Sequence, residues 1–156
     1  MQYTQLTKRF IPLVAFCLLF LFAFTSSAKA GLDSFEIYLN NRLLVKQTVD
    51  KPLSLESLQL DKSNTNDRLV IRYSQCNAPN KIGKGRKLVI RDAKGGVVKE
   101  WKFADTDDMG LSIPVKELLE LEKKNGNAPL SLVYTAEGHA QDQKLTSLKI
   151  GAKGMS

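Results

Sequence analysis

Thiol nucleophilic catalysis needs a cysteine with a base close by, and this 156-residue chain offers few of either. Cys17 sits in an N-terminal apolar run, which leaves Cys76, and His139 is the only histidine anywhere. Both fall in or beside loops, so a Cys76–His139 site is conceivable, but no recognised catalytic context surrounds either residue. The blander reading makes Cys76 a small hydrophobe at a strand end and His139 a solvated loop residue.

Metal chemistry has one candidate, the acidic stretch DTDDMG at 105–110. Asp105, Asp107 and Gly110 follow the opening spacing of a helix-loop-helix calcium loop. The match then fails, because Met109 stands where an oxygen ligand belongs and Lys116 takes the place of the bidentate glutamate. An irregular calcium site on Asp105, Asp107 and Asp108 is the residual expectation, with a solvated turn as the default. One cysteine and one histidine cannot build a Cys/His-rich zinc site, and no cofactor is expected. Sixteen acidic residues make carboxylate pairs for glycoside hydrolysis available without singling one out. No Gly-x-Ser-x-Gly elbow is present. An enzyme using scattered carboxylates is therefore the third reading.

The segment CNAPNKIGKGRK at 76–87 is glycine-spaced and basic, yet it is not a phosphate-binding loop. Its glycines are two apart rather than five, no Lys-Ser/Thr pair follows, and a strand rather than a helix comes next. Its charge is more informative. From Lys81 to Lys102 there are eight cations (Lys81, Lys84, Arg86, Lys87, Arg91, Lys94, Lys99, Lys102) against Asp92 and Glu100. A focused patch of this kind attracts anionic partners. Lys81, Lys84, Arg86, Lys87, Arg91 and Lys102 are the expected binding residues. The competing reading is that lysines on solvent-facing strand positions keep the chain soluble and blunt a sheet edge.

The compartment narrows the partners. Lys8 and Arg9 precede an apolar run over 10–24, and Ala28-Lys29-Ala30 gives a small-x-small pattern before Gly31. This is the layout of a cleavable secretory signal peptide over residues 1–30. The run is short of the roughly 20 residues needed to span a bilayer, so no transmembrane segment is expected after cleavage. A lipoprotein through Cys17 fits less well, because bulky Phe16 precedes it and most of the run would follow the cut. Cleavage removes three cations and no acid, leaving 20 basic against 16 acidic residues, a net +4 in place of +7. The expected setting is periplasmic or secreted, in a bacterial envelope. There an envelope protein, an anionic glycan or lipid head groups could meet the patch. Nucleic acid is not expected, given that compartment and the lack of interleaved aromatic residues.

The elements that must position these residues read mainly as strands. Phe35, Ile37 and Leu39 alternate, Asn40-Asn41 supplies a turn, and Leu44 and Lys46 run back. Leu53 and Leu55 alternate, and Leu58 and Leu60 resume out of phase, which points to a bulge near Glu56-Ser57. A polar loop at 61–67 leads to a strand from Arg68 to Ser74. In the hairpin over 86–103, a turn at Ala93-Lys94-Gly95-Gly96 sets Asp92 opposite Val97 and Arg91 opposite Val98. Arg86 then faces Phe103, Leu88 faces Trp101 and Ile90 faces Lys99 on an apolar side. Lys87, Val89, Arg91, Lys102 and Glu100 share a cationic, solvated side, with Glu100 between Lys87 and Arg91. One amphipathic helix follows, capped by Ser112, with Pro114 near its first turn, Val115, Leu118, Leu119 and Glu122 on one stripe, and an end at Asn125-Gly126. Leu130, Leu132 and Tyr134 form another strand, and Leu148 and Ile150 a last one.

Eight short strands and one helix predict an antiparallel β-sandwich over 31–151, with the helix as a connection and 152–156 as a frayed tail. A partly open barrel is the alternative. The expected function is an exported, non-catalytic binding module, with a component self-associating through a sheet edge as the second reading.

Overall fold

The computed structural model describes residues 31–106, 108, 110–139 and 141–150; the expected signal peptide and frayed tail lie outside them. Two sheets face one another. The first orders strands β2 (Arg42–Thr48), β1 (Ser34–Leu39), β4 (Arg68–Ser74) and β7 (Gly110–Pro114). The second orders β3 (Ser57–Leu60), β9 (Gln143–Ile150), β8 (Leu130–Thr135), β5 (Lys87–Arg91) and β6 (Val97–Lys102). Neither sheet closes into a barrel, and every pairing is antiparallel except β3 with β9. One helix, α1 (Val115–Lys124), carries the chain from the first sheet to the second. Among the described residues no helix is long and apolar enough to cross a membrane.

Period-two alternation builds the core. Phe35 and Ile37 of β1, Leu69 and Ile71 of β4, and Leu111 and Ile113 of β7 point inward from the first sheet. They meet Leu88, Ile90, Leu132 and Tyr134 from the second, all fully buried, and Val115 and Leu118 of α1 join the same cluster. The β1–β2 turn is tied sideways. Asn40 takes a positive φ of 52°, which asparagine tolerates better than most residues. Its side chain donates to Asp67 at 2.8 Å and accepts from the Arg68 amide at 2.9 Å.

Four sequence expectations need correction. A ninth strand, β7, occupies the segment read as the helix start, so Ser112 pairs with Val70 in the sheet and caps nothing. The helix opens at Val115 behind Pro114, without a side-chain cap. Leu111 and Ile113 alternate into the core, and a ladder along β4 outweighs a local start signal. Leu53 and Leu55 pack against the core outside any strand, and pairing with β9 begins at Ser57. Leu145 lies opposite no partner at the bulge in β9, so apolar positions three apart disguise a strand that starts at Gln143. In the hairpin the pairs from Lys87–Lys102 to Ile90–Lys99 follow the expected register, but a bulge at Val98 sets Arg91 opposite Val97.

Candidate functional site

The outward face of the five-stranded sheet gathers cations from three strands. Lys87 and Lys102 are direct register partners, and Arg91 lies two positions along β5 from the outward-facing Val89. Lys144 pairs with Val133, and Lys149 with Gln59, on the same face. Lys144 and Lys149 are additions to the expected residues: the β9 bulge hides the phase of Lys144, and Lys149 joins the face only through the pairing of β9 with β8 and β3. Glu100 is the acid within this face, 3.5 Å from Lys87 and 3.9 Å from Lys102. It does not pair with Arg91 as expected: Arg91 bonds Asp142 and the Gly95 carbonyl, at 2.8 Å to the latter. Val89 is also buried rather than solvated, at 2% exposure. It lies in the interior of the sheet between Val133 and Glu100.

The expected patch is therefore split. Lys87, Arg91 and Lys102 belong to the face, whereas Lys81 and Lys84 sit in the β4–β5 loop. Lys99 faces the opposite way, over the Trp101 ring at 5.7 Å. Arg86 leaves the patch altogether, being only 3% exposed. Its guanidinium donates to the Asp108 carbonyl at 2.7 Å, Ala104 at 2.7 Å and Thr106 at 3.3 Å, and its Nε has no partner. Alternation put Arg86 on the side of Leu88, and burial follows from that side. It fastens the 104–108 loop to the start of β5.

The expected calcium residues are occupied differently. Asp105 accepts the Gly85 amide at 2.8 Å, and Asp108 accepts the Gly110 amide at 2.8 Å. Asp107 lies outside the described residues, and no group of three or more His, Cys, Asp or Glu able to hold a metal occurs among those described.

An open cleft of about 560 Å³ lies at the start of β5 and the ends of β6 and β8. Lys87 and Lys102 line it with Phe103, Ala104, Ala136, Asp105 and Glu137. Gly85, at a φ of 58°, lets the loop pass against Glu137; a Cβ there would lie 2.9 Å from that side chain.

Cys76 and His139 are drawn to one place, but by a third residue that the sequence did not single out. Asp33, just ahead of β1, accepts the Cys76 amide on Oδ1 at 2.9 Å. Its Oδ2 accepts the Tyr73 hydroxyl at 3.0 Å and faces His139 Nε2 at 2.9 Å. Tyr73 is also 3.1 Å from that Nε2, and His139 Nδ1 is 2.5 Å from the Gln141 carbonyl. His139 is thus not a solvated loop residue: its side chain is 14% exposed, edge-on to the stacked rings of Tyr73 and Tyr134. Both ring nitrogens are engaged within the protein, which leaves neither for an outside reacting group.

The proton affinities run against nucleophilic chemistry. Burial, a hydrogen bond to Asp33 and that residue's charge push the Cys76 thiol up, so less of it is thiolate. Burial and Asp33 push the Tyr73 hydroxyl well above its ordinary value, and burial pushes Tyr134 up to about 12. Burial also raises Asp33, but hydrogen bonds from the Cys76 amide, His139 and Tyr73 outweigh it and hold the carboxyl below its ordinary value. The group is a clasp. It joins the chain ahead of β1, the end of β4 and the β8–β9 loop.

A two-sheet β-sandwich with one bridging helix and a cationic outer face is the class these features define. No family model, curated protein or solved structure matches the chain.

Proposed function

We propose that this protein is an exported, non-catalytic binding module whose five-stranded sheet docks an anionic partner of the cell envelope. The observation that carries the reading is the shared outward face of Lys87, Arg91, Lys102, Lys144 and Lys149, with Glu100 as its acid. Solvated sheet faces of folded proteins ordinarily alternate charge sign across strands, because like charges on neighbouring positions repel. Even with Glu100 shared between Lys87 and Lys102 and Asp142 on Arg91, the five cations keep a positive excess, and the face gains from an anionic surface laid against it, most strongly at low ionic strength. The engaged nitrogens of His139 and the raised Cys76 thiol favour binding over catalysis.

Cross-linking of the full-length tagged chain in intact cells, followed by mass spectrometry, tests this. The comparison is the triple variant Lys87→Glu, Lys102→Glu, Lys144→Glu, which avoids Arg91 and its bond to Asp142. Capture of an anionic partner should disappear while the variant keeps a cooperative melt, lowered by the loss of the two Glu100 ion pairs. Equal capture by the variant refutes the reading.

Self-association through a sheet edge is the second reading, favoured by the 47% exposure of Leu43 on edge strand β2 and the 59% exposure of Val97 on edge strand β6. Sedimentation over a concentration series decides it, and a monomer throughout rules it out.

A further inference from the structure

The cleft at the start of β5 and the ends of β6 and β8 has two walls of opposite character. On one side Lys87 and Lys102 are adjacent on the same face and share the single Glu100 carboxylate, so two ammonium groups meet one negative charge. Arg86 lies beneath, its guanidinium donating to three main-chain carbonyls, with no ion pair among the described residues and its Nε unpartnered. A buried guanidinium adds to the positive potential at that wall. On the other side stand the exposed carboxylates of Asp105 and Glu137, and Phe103 with Ala104 and Ala136 supplies apolar surface between.

A purely anionic ligand such as inorganic phosphate would meet repulsion from Asp105 and Glu137. A neutral ligand would leave the two lysines with Glu100 as their one shared counter-charge. The arrangement suits a molecule carrying one carboxylate, several hydroxyl donors and a flat apolar patch. Resting on the binding-module reading above, we propose that this cleft binds an acidic sugar, the charged unit of an anionic glycan. Its carboxylate would lie between Lys87 and Lys102, its hydroxyls would donate to Asp105 and Glu137, and its ring C–H groups would lie against Phe103, whose aromatic face is negative. The volume of about 560 Å³ is within the roughly 300–1,000 Å³ common for small-ligand sites. The cations of β9, away from the cleft, would meet further charges along the same glycan.

The test is a nuclear magnetic resonance titration of protein purified after expression of the full chain. The probes are trisaccharides of galacturonic acid, glucuronic acid and sialic acid, with neutral galactotriose and inorganic phosphate as controls at matched ionic strength. At least one acidic trisaccharide should shift the amides of Gly85, Phe103 and Thr135, and the controls should not. Lys87→Gln with Lys102→Gln should weaken binding about tenfold, the loss of roughly one charge-assisted bond. Glu137→Gln, a surface change that tests the sugar separately from charge attraction, should weaken it about threefold. Lys123→Gln with Lys124→Gln, on α1 and outside the cationic face, should change trisaccharide affinity by less than about threefold.

Silence of all three acidic trisaccharides, equal binding of galactotriose or phosphate, or full affinity after Lys87 and Lys102 are neutralised would each overturn the proposal. The outcomes separate the two readings. Loss of cellular capture on reversing Lys144 and Lys149, with all trisaccharides silent, leaves the cationic face standing and removes the sugar site. Trisaccharide binding with cellular capture indifferent to charge reversal does the opposite.

Discussion

Replacing Asp33 by alanine should destabilise the protein by about 2–4 kcal/mol, through loss of the clasp between the chain ahead of β1, the end of β4 and the β8–β9 loop. The carboxylate takes three contacts: the Cys76 amide at 2.9 Å, the Tyr73 hydroxyl at 3.0 Å and His139 Nε2 at 2.9 Å. Each neutral bond is worth about 1 kcal/mol net, and one to a charged group about 1.5–3. Their sum is reduced because the three donors regain partners in part: the Asp33 and His139 side chains are each 14% exposed, so water reaches the gap. Asp33→Asn should cost less, since its amide oxygen still accepts the Cys76 amide. Urea unfolding of both variants, followed by Trp101 fluorescence, measures the difference. A loss below about 0.5 kcal/mol for Asp33→Ala would mean that these contacts do not hold the three segments together. The pH dependence gives an independent check. The folded-state pKa of Asp33 lies below its ordinary value of about 3.9, so its stabilisation is complete above that value and is lost as pH falls through the folded one. Wild type should therefore lose stability more steeply than Asp33→Asn below about pH 4. Parallel acid profiles would refute the assignment.

Three further outcomes are expected. Gly83→Ala should lower stability by about 1–3 kcal/mol, because a Cβ there would lie 2.3 Å from Gln75 Oε1, 2.9 Å from the Tyr134 hydroxyl and 3.0 Å from Ala136 Cβ; a thermal melt unchanged from wild type would show that the loop yields freely. Cys76 should react with iodoacetamide at pH 8 more slowly than a cysteine in an unstructured peptide, since burial and Asp33 raise its thiol, and equal rates would contradict that environment. Arg86→Met should cost about 2–4 kcal/mol and loosen the 104–108 loop, as three carbonyls lose their donor; hydrogen exchange across that loop reads the effect, and unaltered protection would count against the anchoring role.

The sequence by itself determined the architecture, because alternation is a local property. Phe35, Ile37, Leu69, Ile71, Leu88 and Ile90 show their inward faces by spacing alone, and the structure buries each of them. Most of the β5–β6 register was equally legible, since counting outward from Gly95-Gly96 needs no knowledge of the rest of the chain. Expectations failed where a distant strand set the outcome. Ser112 looks like a cap until β4 offers Val70 as a partner, and Arg86 looks like a surface cation until the 104–108 carbonyls close around it. Lys144 and Lys149 join Lys87 and Lys102 only through β8 and the bulge at Leu145. Asp33, Tyr73, Cys76 and His139 converge across as many as 106 positions of chain. No local pattern encodes such a meeting: it follows from strand order, which is fixed by how the two sheets bury their apolar faces together.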